Sequence, residues 1–153
     1  MSKFRTHKCD EIRLEDVGKE VKISGFVENI RDLGGLVFLD IRDMYGVTQV
    51  VTSKEETDVD FASHIPLEST VSVEGIVRKR DEETVNEKLK TGLVEIAIKK
   101  IEILGKRLKQ LPFEIEKSIE VREEARLKYR FLDLRNKKMT ERLVLRAKVI
   151  QYL

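Results

Sequence analysis

Apolar residues recur at every second position in five separate stretches of this chain, and that period obliges each stretch to turn one face toward a core and the other away. The first stretch is Val21-Lys22-Ile23-Ser24-Gly25-Phe26-Val27 and the second is Leu36-Val37-Phe38-Leu39-Asp40-Ile41-Arg42. Val47-Thr48-Gln49-Val50-Val51 makes a third, joined to the second through Asp43-Met44-Tyr45-Gly46, whose residue types suit a hairpin turn. Val71-Ser72-Val73-Glu74-Gly75-Ile76-Val77 makes a fourth. Val94-Glu95-Ile96-Ala97-Ile98 makes the fifth, with a continuation to Ile103 left open. Between the third and fourth, the polar run from Glu55 to His64 predicts a short helix ahead of Pro66. Gly25 and Gly75 interrupt their strands, where a small barrel needs a bend or a bulge to close.

Five short strands with a helix between the third and fourth follow the order of a Greek-key OB barrel, although another small all-β barrel or a sandwich would share the alternation. The predicted fold is therefore an all-β OB-fold followed by an α-helical hinge segment. The character of the chain changes after Gly105. Lys106 to Lys117, with Pro112 inside it, reads as a linker, and Glu120 to Lys128 as a short helix. From Asn136, a capping residue type, Met139, Leu143, Ala147 and Ile150 recur at helical spacing. The expected division is a barrel over 1–105, a linker and hinge over 106–135, and the start of a further domain over 136–153. The last helix is still running at Leu153, so its apolar stripe is expected to find its partner in residues beyond this sequence.

Composition narrows the function. With 41% hydrophobic and 38% charged residues the chain reads as a soluble globular protein. No apolar segment marks the N-terminus as a secretory signal, and no stretch is long enough to cross a bilayer, so no membrane partner is expected. The single Cys9 suits a reducing, cytoplasmic location and reads as a spectator. The net charge of +2 conceals a split: residues 1–105 hold 16 Lys/Arg against 21 Asp/Glu, a balance of −5, and residues 106–153 hold 14 against 7, a balance of +7. The barrel is therefore not a basic domain that attracts nucleic acid through bulk charge, and any RNA it binds must be held by a local arrangement of side chains.

Period-two geometry sorts the residues that could supply such an arrangement. Val37, Leu39 and Ile41 share the core face of the second strand, which turns Phe38 outward beside Asp40 and Arg42. In the first strand Val21, Ile23 and Val27 point inward and Phe26 outward; in the fifth Val94, Ile96 and Ile98 point inward and Glu95 outward. An aromatic ring on the outer face of an OB sheet can stack an unpaired base. Phe38 fits that role or a place under a covering segment, whereas Phe26 reads as packing under a terminal segment or loop. Glu95 is either an ordinary solvated carboxylate or an acceptor for the paired N1–H and amine donors of guanine. Gln49 carries one donor and one acceptor in a plane, suited to the edge of uracil. Arg31 and Arg80 lie just after strand ends, where a guanidinium could grip phosphate or stack on a base. Other chemistry finds no support. His7 and His64 are far apart, one cysteine cannot complete a common zinc pattern, and Gly34-Gly35 reads as a turn rather than a phosphate loop. The scattered carboxylates single out no acid–base pair, so neither a metal site nor a catalytic residue is predicted within these residues.

Two stretches carry a resemblance. Arg31-Asp32-Leu33-Gly34-Gly35-Leu36-Val37-Phe38-Leu39-Asp40-Ile41-Arg42-Asp43, with Gly46 and Gln49-Val50-Val51, resembles the anticodon-binding strands of bacterial-type aspartyl-tRNA synthetases. Glu123-Glu124-Ala125-Arg126-Leu127-Lys128-Tyr129-Arg130-Phe131-Leu132-Asp133-Leu134-Arg135 resembles the hinge leading into their class II catalytic domain. Lysyl- and asparaginyl-tRNA synthetases share the barrel, and a generic single-strand-binding module or a protein-interaction barrel are the other readings. The resemblance implies that Phe38 stacks on an anticodon base of tRNA(Asp), Gln49 reads the central uracil and Glu95 reads guanine at the first position. It also implies that Arg31 and Arg80 support the anticodon loop, that Asn86 and Gly92 fall in the loop between the fourth and fifth strands where the family also contacts RNA, and that Leu33 and Glu83 bear on whether one tRNA or two are accepted. The sequence departs from the family at Phe26, where Trp is common, and at Asn29 and Ile30, where arginines are frequent. By the same resemblance, the full-length parent would be a homodimer joined through its catalytic domain. It would use ATP and Mg2+ to make aspartyl-adenylate before charging tRNA, and these residues alone would bind neither and would be inactive.

Overall fold

Every alternating stretch is a strand: β1 Glu20–Asp32, β2 Leu36–Arg42, β3 Val47–Ser53, β4 Thr70–Lys79 and β5 Val94–Gly105. The computed structural model describes residues 3–53 and 59–153. The strands close in the order β1-β2-β3-β5-β4, with β3 and β5 parallel and all other pairs antiparallel, which is a barrel and excludes a sandwich. Closure removes every free edge. The inward residues are those the alternation selects. Val21, Ile23, Val27, Val37, Leu39, Ile41, Val50, Val71, Val73, Val77, Val94, Ile96 and Ile98 form one cluster. Cys9, Ile12, Ala62 and Ile65 join them, so the segment before β1 helps fill the barrel.

Both strand glycines sit where strands crowd. A Cβ on Gly25 would run into the Arg42 carbonyl, and one on Gly75 into the Ala97 carbonyl. The register shifts between Glu74 and Gly75 on the β4–β5 pair, and between Val27 and Asn29 on the β1–β2 pair. The hairpin turn forms as expected: the Asp43 amide donates to the Gly46 carbonyl at 3.0 Å, and its carboxylate accepts from the Tyr45 and Gly46 amides at 2.7 and 3.1 Å. Of the helix expected within Glu55–His64, Val59–Ser63 is helical (α1) and positions 55–58 lie outside the described residues. Two strands run further than their apolar residues indicate. β1 continues through polar Glu28 to Asp32, so Arg31 lies within the strand rather than after its end, and β5 extends past Ile98 to Gly105.

Contacts divide the chain into two units, Met1–Leu108 and Lys109–Leu153. In the second unit a 3-10 turn at Ser118–Glu120 precedes α2 (Glu123–Lys128), which begins three residues later than the sequence suggests; α3 (Arg130–Asp133) and α4 (Lys137–Tyr152) follow. Phe113, Ile115 and Leu132 form its small core, with Phe113 edge-on to Tyr129 at 6.5 Å. Asn136 caps α4, accepting from the Lys138 and Met139 amides while its own amine donates to the Ile115 and Glu116 carbonyls, both at 2.9 Å. Asp133, wholly buried, accepts from Ser118 Oγ at 2.9 Å, Arg126 Nε at 3.0 Å and Arg130 Nη1 at 2.5 Å. Among the described residues no helix is long and apolar enough to cross a membrane.

Candidate nucleic-acid interface

The strand registers line up polar side chains on the outer face of the barrel. Asn29 of β1 lies opposite Asp40 of β2, Asp40 opposite Gln49 of β3, and Glu95 of β5 opposite Arg78 of β4. Because β3 and β5 run parallel with Val50 beside Ile96, Gln49 also neighbours Glu95. One polar row therefore crosses all five strands. Arg31 and Phe38 face each other one step along the β1–β2 ladder, and the Arg31 guanidinium lies 5.8 Å from the centre of the Phe38 ring.

Hydrogen bonds fix this row. Arg31 Nη2 donates to Gln49 Oε1 at 2.8 Å and lies 3.5 Å from Asp40 Oδ1. Gln49 Nε2 donates to Glu95 Oε2 at 3.1 Å. A cation at one end of the amide and an anion at the other permit only one orientation, carbonyl toward Arg31 and amine toward Glu95. Each end still keeps one hydrogen-bonding position for a ligand. Gln49 itself is only 6% exposed.

Glu95 stands at the junction. Its Oε2 takes the Gln49 bond and lies 3.8 Å from Arg80 Nε, so Oε1 is left for a ligand. Burial pushes the Glu95 pKa up, opposed by the charge of Arg80 and the Gln49 hydrogen bond. Arg80 follows the last residue of β4. Its side chain is 3% exposed, its Nη1 donates to the Thr84 carbonyl at 3.1 Å, and its Nε and Nη2 make no hydrogen bond.

Of the residues singled out in the sequence, Arg31, Phe38, Gln49, Glu95 and Arg80 thus form one connected chain. Asn86 and Gly92 are brought together elsewhere, in the β4–β5 loop, where the Asn86 amide donates to the Gly92 carbonyl at 3.2 Å. A Cβ on Gly92 would strike the Asn86 carbonyl, so the close approach requires glycine. Leu33 is 72% exposed in the turn between β1 and β2, and Glu83 is exposed in the 3-10 turn Glu82–Thr84. Neither is hydrogen-bonded into the row. Asp40 was not singled out, yet it anchors both Arg31 and Asn29. Its position two residues from Phe38, on the same face of β2, was the available signal. Asn29 and Ile30, which lack the family's arginines, serve the barrel: Asn29 donates to Asp40 at 3.4 Å and Ile30 packs on the core. Arg42 shares the outward face with Phe38 but is committed to Glu28 and Glu68.

A family model described as an OB-fold nucleic acid binding domain matches residues 21–104, and the chain belongs to that family. Along its whole length the chain is homologous to aspartate–tRNA ligases. It is 43% identical over 153 residues to the aspartate–tRNA(Asp/Asn) ligase of Pelagibacter ubique, covering all of this chain and 26% of that protein. It is 44% identical over 150 residues to the aspartate–tRNA ligase of Streptomyces avermitilis, covering 98% and 25%. The crystal structure of asparaginyl-tRNA synthetase from Pyrococcus horikoshii superposes with a TM-score of 0.79 at 28% identity, over 95% of this chain and 33% of that one. The chain spans about a quarter of the length of these curated relatives.

Proposed function

We propose that the outer face of the barrel reads the anticodon loop of tRNA(Asp), as the recognition end of a cytoplasmic aspartate–tRNA ligase. The observation that carries this reading is the polar row itself: an outward aromatic, an amide of fixed orientation and a carboxylate with one open oxygen stand side by side on a barrel of the nucleic-acid-binding family. Phe38 stacks on a base, with Arg31 over its ring; Gln49 pairs with the central uracil; Glu95 accepts from guanine at the first position. Arg31 and Arg80 support this surface, and Asn86 and Gly92 shape the loop beside it. A net charge of −5 over residues 1–105 argues against a generic single-strand binder, which would need a basic groove.

In this reading the parent makes aspartyl-adenylate from ATP and aspartate with Mg2+ and acts as a homodimer through its catalytic domain. Among the described residues no group of three or more His, Cys, Asp and Glu side chains could hold a metal ion, so none is assigned to that chemistry. Leu33 and Glu83 are proposed to bear on whether tRNA(Asn) is also accepted. Both kinds of relative, named for one tRNA and for two, match at nearly equal identity.

Phe38→Ala is expected to weaken binding of an aspartate anticodon stem-loop by about 1–3 kcal/mol, the range for one lost stacking contact, while the melting temperature stays near wild type. Titration beside a thermal melt checks both. A large loss of stability with unchanged binding would return Phe38 to a packing role.

A further inference from the structure

Arg80 is hard to account for as an RNA contact. Its side chain is 3% exposed, so it presents no guanidinium face to a base and no fork to a phosphate. Two of its three nitrogens are buried without a hydrogen bond, a costly state that calls for a compensating interaction. An opposite charge is at hand: Glu95 Oε2 lies 3.8 Å from its Nε. We propose that Arg80 is a positioning residue, lying beneath the reading face and acting on RNA only through Glu95, which it keeps charged and held in place for a guanine edge. This rests on the proposal that Glu95 reads guanine.

The chemistry requires such a device. The Oε1 oxygen that Gln49 leaves open is secure as an acceptor for guanine donors only while the carboxyl is ionised, because a proton there turns the acceptor into a donor. Burial favours the protonated form, and the groups around Glu95 set the balance. Arg80, the Gln49 amine from β3 and Arg78 from β4 favour the charge, and Asp81 opposes it. Around Arg80, Glu95 and Asp40 favour its charge while Arg31 opposes it. Arg80 lies within ion-pair reach of Glu95, at 3.8 Å, and its link to the Thr84 carbonyl anchors it to the β4–β5 connection.

The test uses the whole chain, with Arg80→Gln to remove the charge, Arg80→Lys to keep it, and Glu95→Gln as reference. In the RNA-free protein, NMR titration of the Glu95 carboxyl carbon should place its midpoint at higher pH in Arg80→Gln than in wild type, with Arg80→Lys close to wild type. Synthetic anticodon stem-loops carrying guanine or adenine at the first position are then titrated at one salt concentration. The guanine preference, about tenfold for a hydrogen bond to a charged acceptor, should persist in wild type and Arg80→Lys and fade at a higher pH in Arg80→Gln. Adenine-loop affinity should not move. Equal weakening toward both loops, with a salt slope lowered by about one, would mean that Arg80 holds a phosphate directly and would overturn the inference. Arg80→Lys behaving like Glu95→Gln would also overturn it, and that comparison stands even if Arg80→Gln does not fold. If Glu95→Gln leaves the preference intact, the reading of guanine fails and this inference with it. If only the Arg80 variants lack an effect, the inference fails alone.

Discussion

Replacing Asp133 with Ala should open the second unit. The carboxylate is wholly buried and gathers Ser118, Arg126 and Arg130, which belong to the 3-10 turn, α2 and α3. Its removal leaves one hydroxyl and two guanidinium groups without their shared partner. Breaking a buried pair costs about 3–5 kcal/mol, and the loss here should fall near the low end because Arg130 is 42% exposed and can turn to water. A loss of about 3 kcal/mol corresponds to roughly 100-fold faster amide exchange over Leu132–Asn136, if those amides exchange through opening of this unit. Unchanged protection there would show that the apolar cluster alone holds the unit. The same hub has a pH signature. Burial would raise the Asp133 pKa, but the hydrogen bonds from Arg126 and Ser118 and the charges of Arg126 and Arg130 outweigh it, so the folded value lies below the ordinary one. The contribution is therefore complete above the unfolded value of about 4 and is lost as pH falls through the folded value. Wild type should lose this protection in acid, and Asp133→Ala should show no such step.

Leu39→Ala should carry a large cost in the barrel. Leu39 is fully buried in β2, among inward residues of all five strands, and a leucine truncated in such a core costs about 2–5 kcal/mol. Denaturant unfolding should show a lower midpoint with an unchanged slope. The contrast with its neighbour is diagnostic: Leu39→Ala should lower stability, and Phe38→Ala should lower RNA binding. A small stability loss for Leu39→Ala would mean that the two faces of β2 had been exchanged.

The inner faces of β2 and β5 were legible because their alternate positions are all aliphatic: Val37, Leu39 and Ile41 in one, Val94, Ile96 and Ile98 in the other, each buried. Glu95 and Phe38 could be assigned to the outside on that ground alone. Other features were not legible for physical reasons. β1 runs five residues past Val27, and of these only Ile30 is apolar, so no alternation marks the extension. In β3 both faces are largely buried: Gln49 is covered by the side chains it bonds, and its burial depends on partners from β1 and β5 that are distant in sequence. The burial of Arg80 has the same origin, since a position just after a strand looks exposed until the β4–β5 loop folds back on it. Cys9 and Ile12 belong to the core although no periodic pattern surrounds them. Asn136 was the reverse case, a cap readable from residue type and spacing alone.

The central claim, that this face reads bases, rests most heavily on Glu95. In Glu95→Gln the inner position faces the Gln49 amine and the Arg80 guanidinium, both donors, so the new carbonyl oxygen should settle there. That turns the new amine outward, toward the place where guanine would present its own donors. One hydrogen bond is lost and a donor–donor contact appears, at a cost of about 1–3 kcal/mol. Adenine offers an acceptor at the same edge and should bind the variant as well as, or better than, wild type. Titrating guanine-first and adenine-first stem-loops against both proteins at one salt concentration decides the matter. The account predicts weakened binding of the guanine loop only; equal changes for the two loops would contradict it.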